Sequence, residues 1–373
     1  MFNSKEKLRV GVLGATGIVG QRFLSLLMDH PLFEVTAVAA SRNSAGKSYR
    51  DAVWARYGKA PILSQMYDVL PRYGKLKVRS AEDDVDVLKP QVDLAFSALA
   101  MEHDAIRALE EKYACSGIPV ISNNSSHRWT PDVPVVIPEV NPHHLEIIKT
   151  QKSERGWETG LIAAKPNCSI QSFVPVIEAL KAFTPQKIFV TTFQAVSGAG
   201  KTLDLWPEMM DSIMPFIAGE EEKTSSEPKK IWARIEAGKF VFPDTPEISA
   251  NCVRVPVSDG HLVAVNVSFK NKPTRADVLH ALRNFQNPLD ELNLSSAPRP
   301  FILVTDEDNR PQTALDRDAG KGMAVTVGRI REDPVMNGWK FVALSHNTIR
   351  GAAGGAILLA ELLVAKGHVK PRI

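Results

Sequence analysis

The chain has 373 residues, 44% hydrophobic and 23% charged, which is enough apolar material for two globular domains of ordinary size. Forty-five basic against 42 acidic residues leave a formal charge of +3 with no long run of either sign, which argues against nucleic acid or a membrane as the main partner. Three widely separated cysteines, Cys115, Cys168 and Cys252, form no C-x-x-C pair, so neither a disulfide framework nor a metal site is expected. The opening residues "MFNSKEKLRV" lack a signal-peptide core, and no uninterrupted apolar run reaches the ~20 residues a membrane span needs; a reducing, cytoplasmic setting is expected.

In chain order, short β-branched runs at 8–13, 35–40, 92–97 and 119–122 alternate with helical stretches such as 19–28, which predicts βαβ units and a parallel sheet. After about residue 160 the texture changes. Longer β-rich runs at 187–196, 250–257, 261–270, 301–305, 323–331 and 339–345 predict a mixed or antiparallel sheet. The expected class is α/β: an N-terminal Rossmann-type dinucleotide-binding domain over 1–160, and a second α+β domain on a mixed sheet over 161–346. The apolar spacing from Ile349 to Val364, with Gly367 as a stop, predicts a helix, and segment 347–373 is expected to return to the first domain. Gly351, Ala352, Gly354 and Gly355 give its start a face that a backbone or ligand can approach closely. The polar stretch 218–230, "AGEEEKTSSEPKK", reads as a loop or the exposed end of a helix.

"RVGVLGATGIVGQRFLSLLMD" is a strand, a glycine-rich turn and an amphipathic helix, in the order a dinucleotide site requires. Gly11, Gly14 and Gly17 let backbone approach a pyrophosphate, and a helix beginning near Thr16–Gly17 offers its first N–H groups to it. Gly14, Thr16, Gly17, Ile18 and Val19 are therefore candidate cofactor residues, with Ser97 at the end of the 92–97 run. Where an NAD site carries a carboxylate at the end of its second strand, this chain has Ser41, Arg42 and Ser44. Hydroxyls and a guanidinium suit a 2′-phosphate, so NADP(H) is the expected cofactor.

Cys168 lies in "AAKPNCSIQSF", on a Pro-Asn corner before an apolar stripe at Ile170, Phe173, Val174, Ile177 and Leu180 that predicts a helix, with a bend at Pro175. A helix start lowers a thiol's pKa, which makes Cys168 the candidate nucleophile. A thiolate beside a nicotinamide site implies aldehyde or acyl chemistry through a thioester. "NCVRVPVSDGHLVAVNVSFK" reads as two strands joined by an Asp259–Gly260 hairpin turn, which puts Arg254 on the same face as His261, ~13 Å along the strand. His261 is then the candidate acid/base and Arg254 a candidate fork for a substrate carboxylate.

With these residues in place the chain resembles the aspartate-β-semialdehyde dehydrogenase family, in its archaeal and fungal branch. The segments that carry the likeness are "GATGIVGQRF" (14–23), "NNSSHRW" (123–129), "PNCSIQ" (166–171), "FQAVSGAGK" (193–201), "GEEEK" (219–223), "RVPVSDGH" (254–261) and "NTIRGAAGGAI" (347–357). The resemblance implies Cys168 as nucleophile, His261 as general acid/base and Gln194 orienting the acyl intermediate. It implies Arg254 and Glu220 on the amino-acid end of the substrate, and Arg128 and Lys223, with Asn124, on the phosphate. Ser197, Gly198 and Asn347 would line the nicotinamide half of the cofactor site. Glu220–Glu222 leave the binding carboxylate open, and Glu220 is chosen because it stands three residues before Lys223.

The implied reaction is NADPH-dependent reduction of L-aspartyl 4-phosphate to L-aspartate 4-semialdehyde and phosphate, a step toward lysine, methionine and threonine. The implied second domain is catalytic and dimerising, in a homodimer or homotetramer. The same thiolate chemistry would also serve a malonyl- or succinyl-CoA reductase, and the same cofactor loop a non-catalytic NADP-binding redox sensor.

Overall fold

β1 (Leu8–Leu13), β2 (Phe33–Ala40), β3 (Arg79–Ser80), β4 (Leu94–Ser97), β5 (Val120–Ser122) and β6 (Ile162–Ala164) form one parallel sheet in the order 3-2-1-4-5-6, in a computed structural model that describes residues 7–58 and 66–372. This is the order of doubly wound dinucleotide-binding sheets. β4, β5 and β6 are buried at every position, as expected for strands covered on both faces. The helix Ile18–Leu27 buries Ile18, Phe23, Leu24 and Leu27, each contributing about 1.5–3 kcal/mol, and Phe23 stacks on Phe96 of β4 at 4.7 Å.

β7 (Pro185–Gln194) precedes a small antiparallel pair, β8 (Arg234–Glu236) and β9 (Lys239–Val241); β10 (Glu247–Arg254), β11 (His261–Phe269), β12 (Ile302–Val304), β13 (Val325–Asp333) and β14 (Gly338–Ser345) follow. The large second sheet runs 10-7-11-14-13-12 and is mixed: β7 is parallel to β10 and antiparallel to β11. Along β7 and β11 buried positions alternate with more exposed ones, so this sheet has one core face and one wetter face.

The chain divides into two units, residues 1–136, 143–165 and 356–373 in one, 137–142 and 166–355 in the other. The sequence expectation put the boundary at 160 and the return at 347. The boundary lies beyond β6, whose three residues extend the parallel sheet of the first unit. The return lies at 356 because a π-turn at Ile349–Ala353 packs against the Cys168 turn before the helix Gly354–Ala365 begins.

Residues 1–6, where the N-terminal expectation partly rested, lie outside the described residues. Among the described residues no helix is long and apolar enough to cross a membrane.

The 218–230 stretch departs most from its reading, since it contains most of a twelve-residue helix, Glu220–Ile231, with Thr224, Glu227, Pro228, Lys230 and Ile231 buried. Three adjacent glutamates in its first turn suit the positive end of the helix dipole.

Candidate active site

Three neighbouring strands of the second unit deliver Gln194, Arg254 and His261 to one place. Arg254 is the register partner of Gln194 across the parallel β10–β7 pair, and Leu262 is opposite Phe193 across the antiparallel β11–β7 pair. All three side chains are buried, so they share the core face. The expected β10–β11 hairpin is therefore corrected: β7 lies between the two strands. Residues 255–260 cross over its end, with Val255 N donating to Gln194 O, Val196 N to Val257 O and Ser197 N to Ser258 O. Gly260 has a φ of +99°, so the Asp-Gly signal was right about local conformation and wrong about which strands pair.

The His261 ring is fully buried and its Nδ1 accepts the Ala195 backbone N–H at 3.1 Å. That bond leaves the proton of the neutral ring on Nε2. Burial, followed by the charge of Arg254, holds its pKa down at about 3. Arg254 donates from Nη1 to Ala195 O at 2.8 Å; burial lowers its pKa, while Cys168, Glu220 and Cys252 pull it upward. Gly198 lies against both groups, and Ser197 beside it accepts a hydrogen bond from Asn347 Nδ2 at 2.8 Å. Asn347 Oδ1 in turn accepts Gly260 N–H at 2.8 Å, tying the crossing loop down.

Cys168 is partly exposed and stands immediately before a 3₁₀ turn, Ser169–Ser172; a short helix, Val174–Ala179, follows. The single helix expected after the thiol is thus split at Phe173, where Pro175 limits the backbone bonds available, and the dipole acting on Cys168 is that of a short turn. Asn167 donates from Nδ2 to both oxygens of Glu220, at 2.9 and 3.1 Å. Glu220 also accepts Gln194 Nε2 and Lys223 Nζ, each at 3.2 Å. Burial opposes its ionisation, but Asn167, Lys223 and Gln194 outweigh it and hold the carboxyl below the usual range. Of the three glutamates, Glu221 instead accepts Cys252 N–H and Glu222 is exposed, so only Glu220 is bonded to Gln194 and Lys223.

In the first unit Gly14 has a φ of +82°, and a Cβ there would come within 2.2 Å of Ala98 O, just beyond β4. A Cβ on Gly20 would come as close to Gly14 O, so the first turn of the helix Ile18–Leu27 packs directly on the loop. Gly17 begins that helix without a side-chain cap, and Thr16, Ile18 and Val19 surround its first turn. This cradle fits a dinucleotide pyrophosphate. Ser97 Oγ accepts Asn124 Nδ2 at 3.1 Å, and Asn124 also donates to the buried Glu110. Arg128 is buried and donates to Lys165 O and Asn123 O. Ser41 and Ser44 form a turn at the end of β2, where Arg42 is exposed and paired with Asp83 through two bonds of 2.8 Å. Asp83 holds Arg42 above, and Arg42 holds Asp83 below, the usual range.

The sequence reading missed Asn167, Thr224 and Glu227 around the thiol, and Asp83 beside Arg42. Thr224 and Glu227 follow Glu220 at helical spacing, a signal hidden by reading that stretch as solvated surface, a loop or an exposed helix end.

The family described as "Semialdehyde dehydrogenase, NAD binding domain" matches residues 9–148, and "Semialdehyde dehydrogenase, dimerisation domain" matches 175–350. The aspartate-semialdehyde dehydrogenase of Methanothermobacter thermautotrophicus is 44% identical over 95% of this chain and 99% of its own, and that of Aspergillus fumigatus 41% over 98% and 99%. A crystal structure of aspartate semialdehyde dehydrogenase with NADP from Candida albicans covers 97% of this chain and 100% of its own, with a TM-score of 0.83 at 38% identity. The chain belongs to the aspartate-semialdehyde dehydrogenase family, with archaeal and fungal relatives along nearly its whole length.

Proposed function

We propose that the chain catalyses the NADPH-dependent reductive dephosphorylation of L-aspartyl 4-phosphate to L-aspartate 4-semialdehyde, with Cys168 as the acyl carrier. The observation that carries this reading is the arrangement of Gln194, Arg254 and His261 on one sheet face, with Glu220 and Lys223 bonded to the same network.

Cys168 Sγ attacks the acyl carbon as a thiolate; a carbon–sulfur bond forms, the carbon–oxygen bond to phosphate breaks, and phosphate leaves with the electron pair. Lys223 and Arg128 are the proposed phosphate partners, with Asn124 assisting. Arg254 takes the α-carboxylate in its fork, and Glu220 the α-ammonium. Gln194 orients the acyl oxygen. His261, neutral with its proton on Nε2, donates to the oxygen on which charge develops. The lowered pKa favours this donor role over that of a base drawing the proton from Cys168. When bound, NADPH supplies the hydride that reduces the acyl carbon. Return of the electron pair to Sγ frees the aldehyde and restores the thiolate.

NADP(H) is held by Gly14, Thr16, Gly17, Ile18 and Val19, with Ser97, Ser197, Gly198 and Asn347 toward the nicotinamide, and Ser41, Arg42 and Ser44 toward the 2′-phosphate. A homodimer or larger homo-oligomer is part of the proposal. Its support is the exposure of Phe189, Met210, Ile213 and Phe216 in the unit that matches a dimerisation domain. A reducing, cytoplasmic setting is part of the proposal, in keeping with three cysteines that form no disulfide among the described residues.

The test is steady-state reduction of NADP+ with L-aspartate 4-semialdehyde. Turnover that requires inorganic phosphate is expected, and turnover that requires coenzyme A instead would overturn the reading.

A further inference from the structure

The helix Glu220–Ile231 carries a second buried carboxylate that the reaction above does not use. Glu220, Thr224 and Glu227 recur at i, i+4 and i+7, so they share one face. Glu227 is 2% exposed, and its Oε2 accepts the Asn167 backbone N–H at 2.7 Å. One turn back, Thr224 Oγ1 lies 3.2 Å from Ser169 Oγ. Asn167 Oδ1 closes the arrangement by accepting Ser169 N–H at 2.8 Å and Ser169 Oγ–H at 2.6 Å. The residues on both sides of Cys168 are thus tied to one helix face. The Gly351 backbone packs against Cys168 with no space for a side chain between them, because a Cβ on Gly351 would come within 2.8 Å of Cys168 Cβ.

We propose that Glu227 is a positioning residue for the nucleophile: by holding the Asn167 amide it fixes the backbone on which Cys168 Sγ is aimed. This rests on the reading of Cys168 as the acylated thiol. The buried amide needs an acceptor in any case, which is the purely structural role. Positioning predicts more: loss of the acceptor misdirects Sγ, and a displacement of about 1 Å at a reacting atom costs on the order of a hundredfold in rate.

The variants are Glu227→Gln, which keeps an acceptor oxygen, Glu227→Leu, which removes it, and Glu227→Asp, which keeps the charge but shortens the reach. Glu222→Gln, on the exposed side of the helix, is the control. Four quantities are measured on the full-length enzyme: kcat, KM for L-aspartate 4-semialdehyde, the thermal midpoint, and the rate of Cys168 alkylation by iodoacetamide, with the site identified by peptide mass spectrometry.

Glu227→Leu and Glu227→Asp are expected to lose at least about tenfold in kcat with KM within about threefold, and to be alkylated at Cys168 several times more slowly. Glu227→Gln is expected within about threefold of the parent in kcat and alkylation. Wild-type kcat and alkylation in folded Glu227→Leu would overturn the proposal, as would a Glu227→Gln variant as impaired as Glu227→Leu. Should Glu227→Leu fail to fold, Glu227→Asp decides: normal kcat and alkylation there overturn it equally. If alkylating Cys168 in the parent enzyme leaves turnover intact, the nucleophile reading fails instead, which separates the two failures.

Discussion

Arg254 and His261 come from strands that are not neighbours, yet both lie against the α-carbon of Gly198. A Cβ there would sit 2.8 Å from Arg254 Nη1 and 3.1 Å from His261 Nε2. Gly198 does not need a glycine-only backbone conformation, so the requirement is for space. Gly198→Ala is expected to fold normally while displacing one or both groups. It should lower kcat/KM for L-aspartate 4-semialdehyde by about ten- to a hundredfold, with a thermal midpoint within a few degrees of the parent. Unchanged kcat/KM would show that the two groups do not act together on substrate.

Cys168→Ala is expected to leave less than about one per cent of the parent kcat, because no other nucleophile replaces the thiolate. NADP affinity, measured by fluorescence titration, should change little. Residual turnover above that level would count against the thioester.

The proposed role of Arg42 toward the 2′-phosphate makes its pair with Asp83 a test of cofactor choice. A 2′-phosphate that takes Arg42 must displace Asp83, whose negative charge also repels it. Asp83→Asn is expected to lower KM for NADP severalfold, to leave KM for NAD nearly unchanged, and so to widen the preference. Because the pair is exposed, the effect should shrink as salt rises.

His261 bears on stability at low pH. In the unfolded chain it takes a proton near pH 6.5, but in the folded protein only near 3, so acid pulls the chain toward the unfolded state. The slope from this group is about 1.4 kcal/mol per pH unit below 6.5, fully present by about pH 5.5 and ending near 3. Arg254 and the opposing Glu220 and Asp259 are the charged groups acting on it. Urea midpoints measured between pH 7 and 5 should fall in the parent and fall less in His261→Asn. Equal pH dependence in both proteins would mean that another group sets the slope.

Glu139 and Arg350 form a buried, two-pronged ion pair at 2.5 Å, and Arg350 Nε also donates to Gln171 in the turn after Cys168. Glu139→Gln leaves a guanidinium buried without its countercharge and should destabilise by about 3–5 kcal/mol in urea unfolding. A loss below about 1 kcal/mol would indicate that the guanidinium finds another partner.

The glycine-rich loop was legible because its requirements are local: Gly14 and Gly20 stand where backbone meets backbone, at the start of an amphipathic helix. Cys168 was legible for a similar reason, in a short motif on a turn. The 218–230 stretch was not, because its charge suggested solvent. Its helix is instead held by residues more than fifty positions earlier in the chain: Glu220 and Glu227 accept hydrogen bonds from Asn167, and Thr224 bonds Ser169.

The sequence by itself determined the two sheet-building textures and the glycine-rich loop before its helix, and it proposed Cys168 as the thiol with Gln194, Arg254 and His261 as its partners. Only the tertiary structure decided how those partners meet. A strand's own residues set its alternation, but which strand it pairs with depends on the whole sheet, and here β7 enters between β10 and β11 and makes Gln194 the bridge between Arg254 and His261.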